Sequence, residues 1–143
     1  MDKDALDNLV QIKELKHEAP DLNEFNGLVQ AAKNKLKDSQ SVGLSDESRF
    51  SLAYGAAFAL SRAALRYCGY RTEKRYIVFQ CLEHTIGLER AKWRVLDKCH
   101  QVRNLAEYEG YTEIDRQLLK ELIGISEELR RLVEGLPPLK VNN

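Results

Sequence analysis

The chain has 143 residues, of which 43% are hydrophobic and 31% are charged, and its 22 basic side chains balance 22 acidic ones. This length is sufficient for one domain with a buried core. A formal net charge of zero argues against a protein that binds nucleic acid over its whole surface, so any such contact has to be local.

The cysteines and the termini indicate where the protein resides. Cys68, Cys81 and Cys99 are odd in number and lack paired spacing, which favours reduced thiols inside a cell. The first ten residues lack the basic and apolar regions of a signal peptide. No apolar run approaches the ~20 residues that a membrane-spanning helix needs. We therefore expect a cytoplasmic protein with no membrane contact.

The N-terminal third predicts two helices. Residues 4–18 keep roughly helical spacing of apolar side chains, and Pro20 is expected to end this helix. Asp21 and Glu24 then form a start that resembles a capping box. The second helix leads into a predicted loop at residues 39–43.

Residues 45–70 predict one long helix around which the rest of the chain is organised. Ser45 can cap its N-terminus, and Gly69 is placed to adopt the left-handed conformation that ends a helix. Its many alanines leave little bulk, and its larger apolar side chains are spread around the cylinder. A helix that is apolar on several faces is usually buried on several sides. We expect it to be the central helix of a bundle, with its aromatic residues in the core.

Two further helices are expected before Gly110. Residues 76–79 alone resemble a strand, but the apolar spacing continues as in a helix, so residues 75–86 predict a short helix. Gly87 ends it, and a fifth helix follows at about residues 89–108.

The last predicted helix begins near Thr112 and Asp115 and ends before Gly135 and Pro137. It carries a heptad-like seam at steps of four and three, which suits packing in the bundle or against a partner helix. The seam consists of Ile114, Leu118, Leu122, Ile125, Leu129, Leu132 and Leu136.

Together these elements predict an all-α, antiparallel bundle of about five to six helices. Neither a repeat nor a linker divides the chain. We expect one domain over residues 1–143, with its core at about 5–136 and a frayed tail at 137–143.

Metal and cofactor chemistry finds little support. Glu14 and His17 have the E-x-x-H spacing of a diiron helix, but such sites need two motifs of this kind and further glutamates. Neighbouring Cys99 and His100 lack zinc spacing. No phosphate-binding glycine loop or nucleophile elbow is present. We therefore predict no metal and no cofactor.

Two polar stretches are candidates for ligand binding. The first is a basic run with Arg71, Lys74 and Arg75, which is either a solvated face or a contact for an anion or RNA.

The second lies in residues 99–111. His100, Arg103 and Glu107 share one helix face, and Asn104 lies one step round. Such a group can bind a phosphate or move a proton. The simpler interpretation is a salt bridge between Arg103 and Glu107 beside an exposed histidine.

Residues 50–69, FSLAYGAAFALSRAALRYCG, followed by Tyr70-Arg71-Thr72 and by residues 103–110, RNLAEYEG, resemble the HEPN superfamily. The chain is similar in particular to small stand-alone bacterial HEPN proteins over about residues 36–132. The resemblance implies an all-α bundle and a homodimer. Many members are metal-independent ribonucleases, and many are toxins paired with a nucleotidyltransferase antitoxin.

The family hallmark is an arginine, an adjacent polar residue and a histidine a few positions later. Arg103 and Asn104 match the first two, whereas Tyr108 stands at the nearest expected histidine position and no histidine follows. With an ordinary pKa of about 10, tyrosine is a poor base at neutral pH. Glu107 or His100 are the available substitutes.

The resemblance therefore implies an RNA- or nucleotide-binding protein in a toxin–antitoxin-like setting, catalytically degenerate or divergent. It leaves two alternatives open. One is an active metal-independent endoribonuclease that uses Arg103, Asn104, His100, Glu107 and Tyr108. The other is a non-catalytic interaction module that uses the seam of the last helix.

Overall fold

The computed structural model describes residues 1–111 and 113–139 and confirms an all-α helical bundle. In these residues a two-stranded antiparallel sheet accompanies the helices, with Lys16 opposite Arg71 and His17 opposite Tyr70. The helices are α1 Lys3–Gln11, α2 Leu22–Ser39, α3 Asp46–Tyr67, α4 Arg75–Gln80, α5 Leu82–Thr85, α6 Arg90–Glu109 and α7 Arg116–Glu134, and the strands are β1 Lys16–His17 and β2 Tyr70–Arg71.

Helix α3 is the predicted centre of the bundle, and it packs against α2, α6 and α7. The Ser45 hydroxyl accepts a hydrogen bond from the Ser48 amide, which caps the helix as expected. Gly69 follows the helix with a φ of +91°, a conformation that glycine adopts without steric cost. Ala56 and Ala57 are fully buried, so the small residues do allow neighbouring helices to approach closely.

The contacts of α2 fix the direction of its neighbour. Glu24, near the start of α2, pairs with Arg66 near the end of α3, whereas the Ser39 carbonyl at the end of α2 accepts from Arg49. Helices α2 and α3 are therefore antiparallel. The N-cap at Asp21 is also confirmed, because its carboxylate accepts from the Glu24 amide. The Glu24 carboxylate, however, pairs with two arginines, Arg66 and Arg71, and does not complete a capping box.

The seam of α7 packs into the core of its own chain. Leu122 and Leu129 are fully buried, and the Ser126 hydroxyl reaches the Ala53 carbonyl of α3 at 3.3 Å. Only Leu132 among the seam residues within α7 is substantially exposed, at 38%. The seam is thus used within the bundle and is not left as a surface for a partner helix.

The first helix is shorter than predicted. It ends at Gln11, and Lys13 has a φ of +65°, so the chain turns before Pro20 is reached. The turn inserts Leu15 into a small hydrophobic cluster, where the side chain is 2% exposed. Glu14 and His17 consequently lie outside any helix, and the E-x-x-H interpretation is wrong.

Other boundaries differ by smaller amounts. The predicted helix at residues 75–86 divides at Cys81 into α4 and α5. Ser39 belongs to α2 because its buried hydroxyl donates to the Leu36 carbonyl, so the loop starts one residue later. The predicted start at Thr112 lies outside the described residues, as does most of the tail, residues 140–143; Asp115 caps α7.

Two hydrophobic clusters make up the interior. The larger surrounds α3 and α7, and the smaller joins α1, β2 and α4. Phe58 packs against both and therefore connects them. None of the helices in residues 1–111 and 113–139 combines the length and the apolar character needed to cross a bilayer.

Candidate functional site

The imidazole of His100 is bonded on both sides. Its Nδ1 lies 3.0 Å from the hydroxyl of Tyr54, and its Nε2 lies 3.2 Å from the amide nitrogen of Asn104. Tyr54 comes from α3 and is 1% exposed, whereas Asn104 is exposed on α6. The two bonds fix the ring between the core and the surface. We call the surrounding group the His100 cluster; its members are Tyr54, Arg75, His100, Arg103, Asn104 and Glu107.

Two arginines contact Tyr54. Arg75 donates to the Tyr54 hydroxyl at 3.0 Å, and the guanidinium carbon of Arg103 lies 5.3 Å from the ring centroid. Such contacts are attractive because the face of an aromatic ring is electron-rich. Glu107 lies 2.8 Å from Arg103, so the predicted ion pair is present. Tertiary packing thus adds Tyr54 and Arg75 to the residues that the sequence placed on one face of α6.

Two tautomers of His100 fit these hydrogen bonds. With the proton on Nδ1, the Tyr54 oxygen accepts from both His100 and Arg75, and Nε2 accepts from the Asn104 amide. With the proton on Nε2, the Tyr54 hydroxyl donates to Nδ1, and Nε2 donates to the Asn104 side-chain oxygen once that amide is turned over. The first tautomer is the one that leaves a lone pair on the ring nitrogen nearer the surface.

Charge and burial keep His100 neutral. Burial lowers the pKa of this imidazole, and the positive charges of Arg75 and Arg103 lower it further, whereas Asp97 and Glu107 act in the opposite direction without reversing the shift. Burial also raises the pKa of Tyr54, despite its hydrogen bond from Arg75. Near neutral pH the cluster consequently combines a neutral base, a neutral phenol and two cations.

The basic run is divided by the fold. Arg71 pairs with Glu18 and Glu24, and Lys74 lies 2.8 Å from Glu14. Arg75 has no carboxylate within ion-pair distance among the residues that the structure describes. Of the three residues predicted for ligand binding, only Arg75 joins the His100 cluster.

A pocket of about 400 Å³ adjoins the cluster through Arg75. Its inner wall is the ring of Phe58, and the guanidinium carbons of Arg62 and Arg75 lie 5.7 Å and 4.3 Å from the ring centroid. Neither Arg103 nor Asn104 lines this pocket. The lining consists of Phe58, Arg62, Leu65, Arg66, Arg71, Thr72, Glu73, Arg75 and Val78.

Sequence reasoning missed the residues that α3 contributes. Tyr54, Phe58 and Arg62 follow one another at steps of four and so share one face of that helix. The sequence pattern that could have identified them is an arginine on the same helix face as two aromatic residues, on an otherwise apolar helix. From the sequence, these aromatic residues are assigned to the core alone. Tyr108, by contrast, was proposed as a site residue and is 91% exposed on α6.

A larger concavity, of about 1190 Å³, lies between the α2–α3 loop and the start of α7. Arg49 and Arg116 both pair with Asp46. The remaining positive charge in the lining is balanced by further acidic side chains, Glu47, Glu113 and Asp115. This balanced surface is a weaker candidate for an anion than the pocket at Phe58.

Metal ligands do not gather in the described part of the chain, where no three His, Cys, Asp or Glu side chains could hold an ion together. Comparison with protein-family models, with curated proteins and with solved structures gives no match. The functional interpretation therefore depends on the geometry of the His100 cluster and on the sequence motif.

Proposed function

We propose that the protein is a HEPN-like, RNA- or nucleotide-binding protein of a toxin–antitoxin-like system, with a catalytically degenerate or divergent site. The supporting observation is the arrangement of Arg75 and Arg103 on the Tyr54 ring, beside a neutral His100. Arg103 and Asn104 are also the residues that match the family's arginine–polar pair.

The arrangement suits a phosphate contact. A guanidinium presents several N–H donors in a planar fork that matches phosphate oxygens. Arg103 is 29% exposed, and its partner Glu107 is 61% exposed. An exposed ion pair of this kind contributes little stability, so a phosphate can replace the carboxylate at low cost. The proposal therefore assigns Arg103 to ligand binding and Glu107 to holding its fork in place in the free protein.

An active endoribonuclease is the second candidate function, and the lowered pKa of His100 favours it. The lone pair on Nε2 would take the proton of a ribose 2′-hydroxyl, whose oxygen attacks the phosphorus and expels the 5′-oxygen, which takes a proton from water. Asn104 would move aside, since its amide occupies Nε2 in the free protein. Tyr108 is not placed like His100 in a cluster of polar groups, because its side chain is almost fully exposed.

A homodimer and a nucleotidyltransferase-type partner belong to the same proposal. Because the seam of α7 is buried, a partner would contact another apolar surface, and the end of α6 provides one. Leu105, Tyr108 and Tyr111 are 48%, 91% and 65% exposed there. This surface also serves the alternative of a non-catalytic interaction module. Light scattering that gives twice the 16.4 kDa chain mass would support the dimer.

The test of the proposed function is RNA binding by an Arg103→Ala variant. We expect its affinity for a fluorescent single-stranded RNA to fall roughly tenfold, because one charge-assisted contact is lost. The slope of log affinity against log salt should decrease by about 0.7, which corresponds to one phosphate contact on a single strand.

Arg94→Ala is the matched control. Arg94 is exposed on the same helix, nine residues before Arg103, which places it on the opposite face. The Arg94→Ala variant should bind RNA with the same affinity as the unchanged protein. If Arg103→Ala keeps full affinity while its melting temperature falls, Arg103 is a structural residue and its assignment to ligand binding is wrong. Failure of the unchanged protein to bind the RNA would overturn the proposed function itself.

His100→Ala separates binding from catalysis. In the endoribonuclease candidate this variant loses cleavage of the RNA while retaining most of the affinity. In the binding-protein candidate neither the unchanged protein nor the variant cleaves RNA.

A further inference from the structure

We infer that Arg62 and Arg75, held against the ring of Phe58, form a subsite for a phosphate monoester, as found at the end of an RNA strand or on a nucleoside monophosphate. The inference rests on the proposed function, because it names the part of the ligand that the region beside the His100 cluster would hold. Neither the sequence motif nor the α6 face includes Arg62.

The positive charges of Arg62 and Arg75 are not compensated by carboxylates in the described residues. Arg62 makes no ion pair or hydrogen bond within residues 1–111 and 113–139, and Arg75 makes one hydrogen bond there, to Tyr54. Each guanidinium has five N–H donors, so nearly all of the donors on this pair are available to a ligand. Their neighbours in the same pocket differ, since Arg66 and Arg71 are both engaged by Glu24.

The ring of Phe58 brings the two arginines to one pocket. The ring of Phe58 is partly buried between the two hydrophobic clusters, which makes it a fixed support. The guanidinium carbons of Arg62 and Arg75 lie 5.7 Å and 4.3 Å from the centroid of this one ring, and both side chains line the same pocket. An anion in that pocket is attracted by both positive charges. A volume of about 400 Å³ accommodates a phosphate with an attached sugar.

The charge balance favours a monoester over a diester. A phosphate monoester carries a charge of about −1.5 to −2 near neutral pH, which matches two guanidiniums, whereas each internal phosphate of a strand carries one. Glu73 is the carboxylate in the lining, and it is exposed and not paired with either arginine. The pocket therefore suits the end of a strand better than its middle.

The subsite is connected to the His100 cluster by Arg75. This side chain contacts Phe58 in the pocket and donates to Tyr54, whose hydroxyl is bonded to His100.

The same connection provides a spectroscopic signal. A bound dianion would offset the charge of Arg75 and so raise the pKa of His100. The charged and titratable groups that face this imidazole are Tyr54 from α3, Arg75 from α4, and Asp97, Arg103 and Glu107 from α6.

The experiment compares a short single-stranded RNA that carries a 5′-phosphate with the same RNA ending in a 5′-hydroxyl. We expect the phosphorylated strand to bind about tenfold more tightly, because it adds charge-assisted hydrogen bonds. Arg62→Gln should abolish this difference between the two strands. Arg94→Gln, an exposed arginine outside the pocket, should preserve it.

Two further probes distinguish the source of the phosphate. Uridine 5′-monophosphate and inorganic phosphate are each titrated while the His100 imidazole is followed by NMR. If the pKa of His100 rises with uridine 5′-monophosphate but not with inorganic phosphate, and the rise is lost in Arg62→Gln, the subsite takes a free nucleotide. The same rise with the 5′-phosphorylated RNA supports a strand end.

Equal affinity of the two RNAs, together with no change in Arg62→Gln and no response of His100 to the nucleotide, would overturn the subsite. That result leaves the proposed function intact as long as Arg103→Ala still weakens RNA binding. Loss of the Arg103 effect with retention of the 5′-phosphate preference would remove Arg103 from the ligand site and keep the subsite, whereas no binding of either RNA would overturn the proposed function. Arg62→Lys, which keeps the charge, provides a second variant if Arg62→Gln folds poorly.

Discussion

Arg62 and Arg66 stand one turn apart on α3, yet they occupy opposite environments. Arg66 is 4% exposed, pairs with Glu24 and donates to the backbone carbonyls of Glu18 and Ala19. Arg62 is partly exposed and packs on Phe58 without a carboxylate partner in the described chain.

We call the first environment the Arg66 network, formed by Glu18, Glu24, Arg66 and Arg71. Burial alone would raise the pKa of Glu24, but the bonds from Arg66 and Arg71 outweigh it and lower the pKa. Its charges are thus satisfied within the protein, and it joins the N-terminal segment to the bundle. The Arg66 network is therefore balanced and joins segments of the fold, whereas Arg62 and Arg75 have no carboxylate partner in the described residues.

The largest expected effect is on the Arg66 network. Arg66→Met should lower the free energy of unfolding by about 3 kcal/mol, because it removes one partner of a buried ion pair and leaves carbonyl groups unpaired. Urea denaturation measures this change. Arg62→Met, one turn earlier, should cost less than about 1 kcal/mol, since it loses only a partly exposed contact with an aromatic ring. Equal costs would show that the two environments do not differ as described.

A matched pair of tyrosines gives a smaller effect. Tyr54→Phe and Tyr70→Phe each remove one hydroxyl, bonded to His100 and Arg75 in the first case and to Asp7 at 2.6 Å in the second. Each should lower the free energy of unfolding by about 1 kcal/mol. Only Tyr54→Phe should also weaken RNA binding, because only it releases Arg75 and His100. Fluorescence polarisation with the same RNA provides the comparison, and a binding defect in Tyr70→Phe would contradict it.

The smallest expected effect is a pH dependence of stability from His100. The folded state lowers the pKa of this histidine below its ordinary value of 6.5. As the pH falls through that value, the unfolded chain takes up a proton that the folded chain does not. The stabilisation is therefore complete above the ordinary pKa and is lost as the pH falls towards the folded pKa.

The measurement is the free energy of unfolding by urea at several pH values on either side of neutrality. His100→Gln should flatten the decline on the acid side. His84→Gln, at the end of α5, leaves His100 in place and should leave the decline unchanged. A decline that persists in His100→Gln would assign it to other groups.

Local signals predicted the parts of the fold that depend on neighbouring residues. The caps at Asp21 and Ser45 and the left-handed glycine at position 69 are where the sequence placed them. Each is a side chain or backbone preference that acts within one turn of its own helix. The same applies to the shared face of His100 and Arg103, which follows from helical spacing alone.

Other features could not be predicted because distant contacts decide them. Helical spacing up to residue 18 concealed the turn at Lys13, which forms because Leu15 is buried against residues of α3 and α4. The seam of α7 was equally consistent with a partner helix, and only the position of α3 shows that its own chain covers it.

The sequence by itself determined an all-α chain, the identity of its central helix and a polar face on α6 with Arg103 and His100. Tertiary structure decided which of the two arginines on α3 is balanced. Arg62 and Arg66 lie one turn apart on the same helix, but of these two only Arg66 is reached by Glu24, which is 42 residues away in the chain. Electrostatic interactions depend on distance in space, whereas helix propensity and capping depend on distance along the chain. For this reason the candidate ligand pocket becomes visible only when α2, α3 and α4 are assembled.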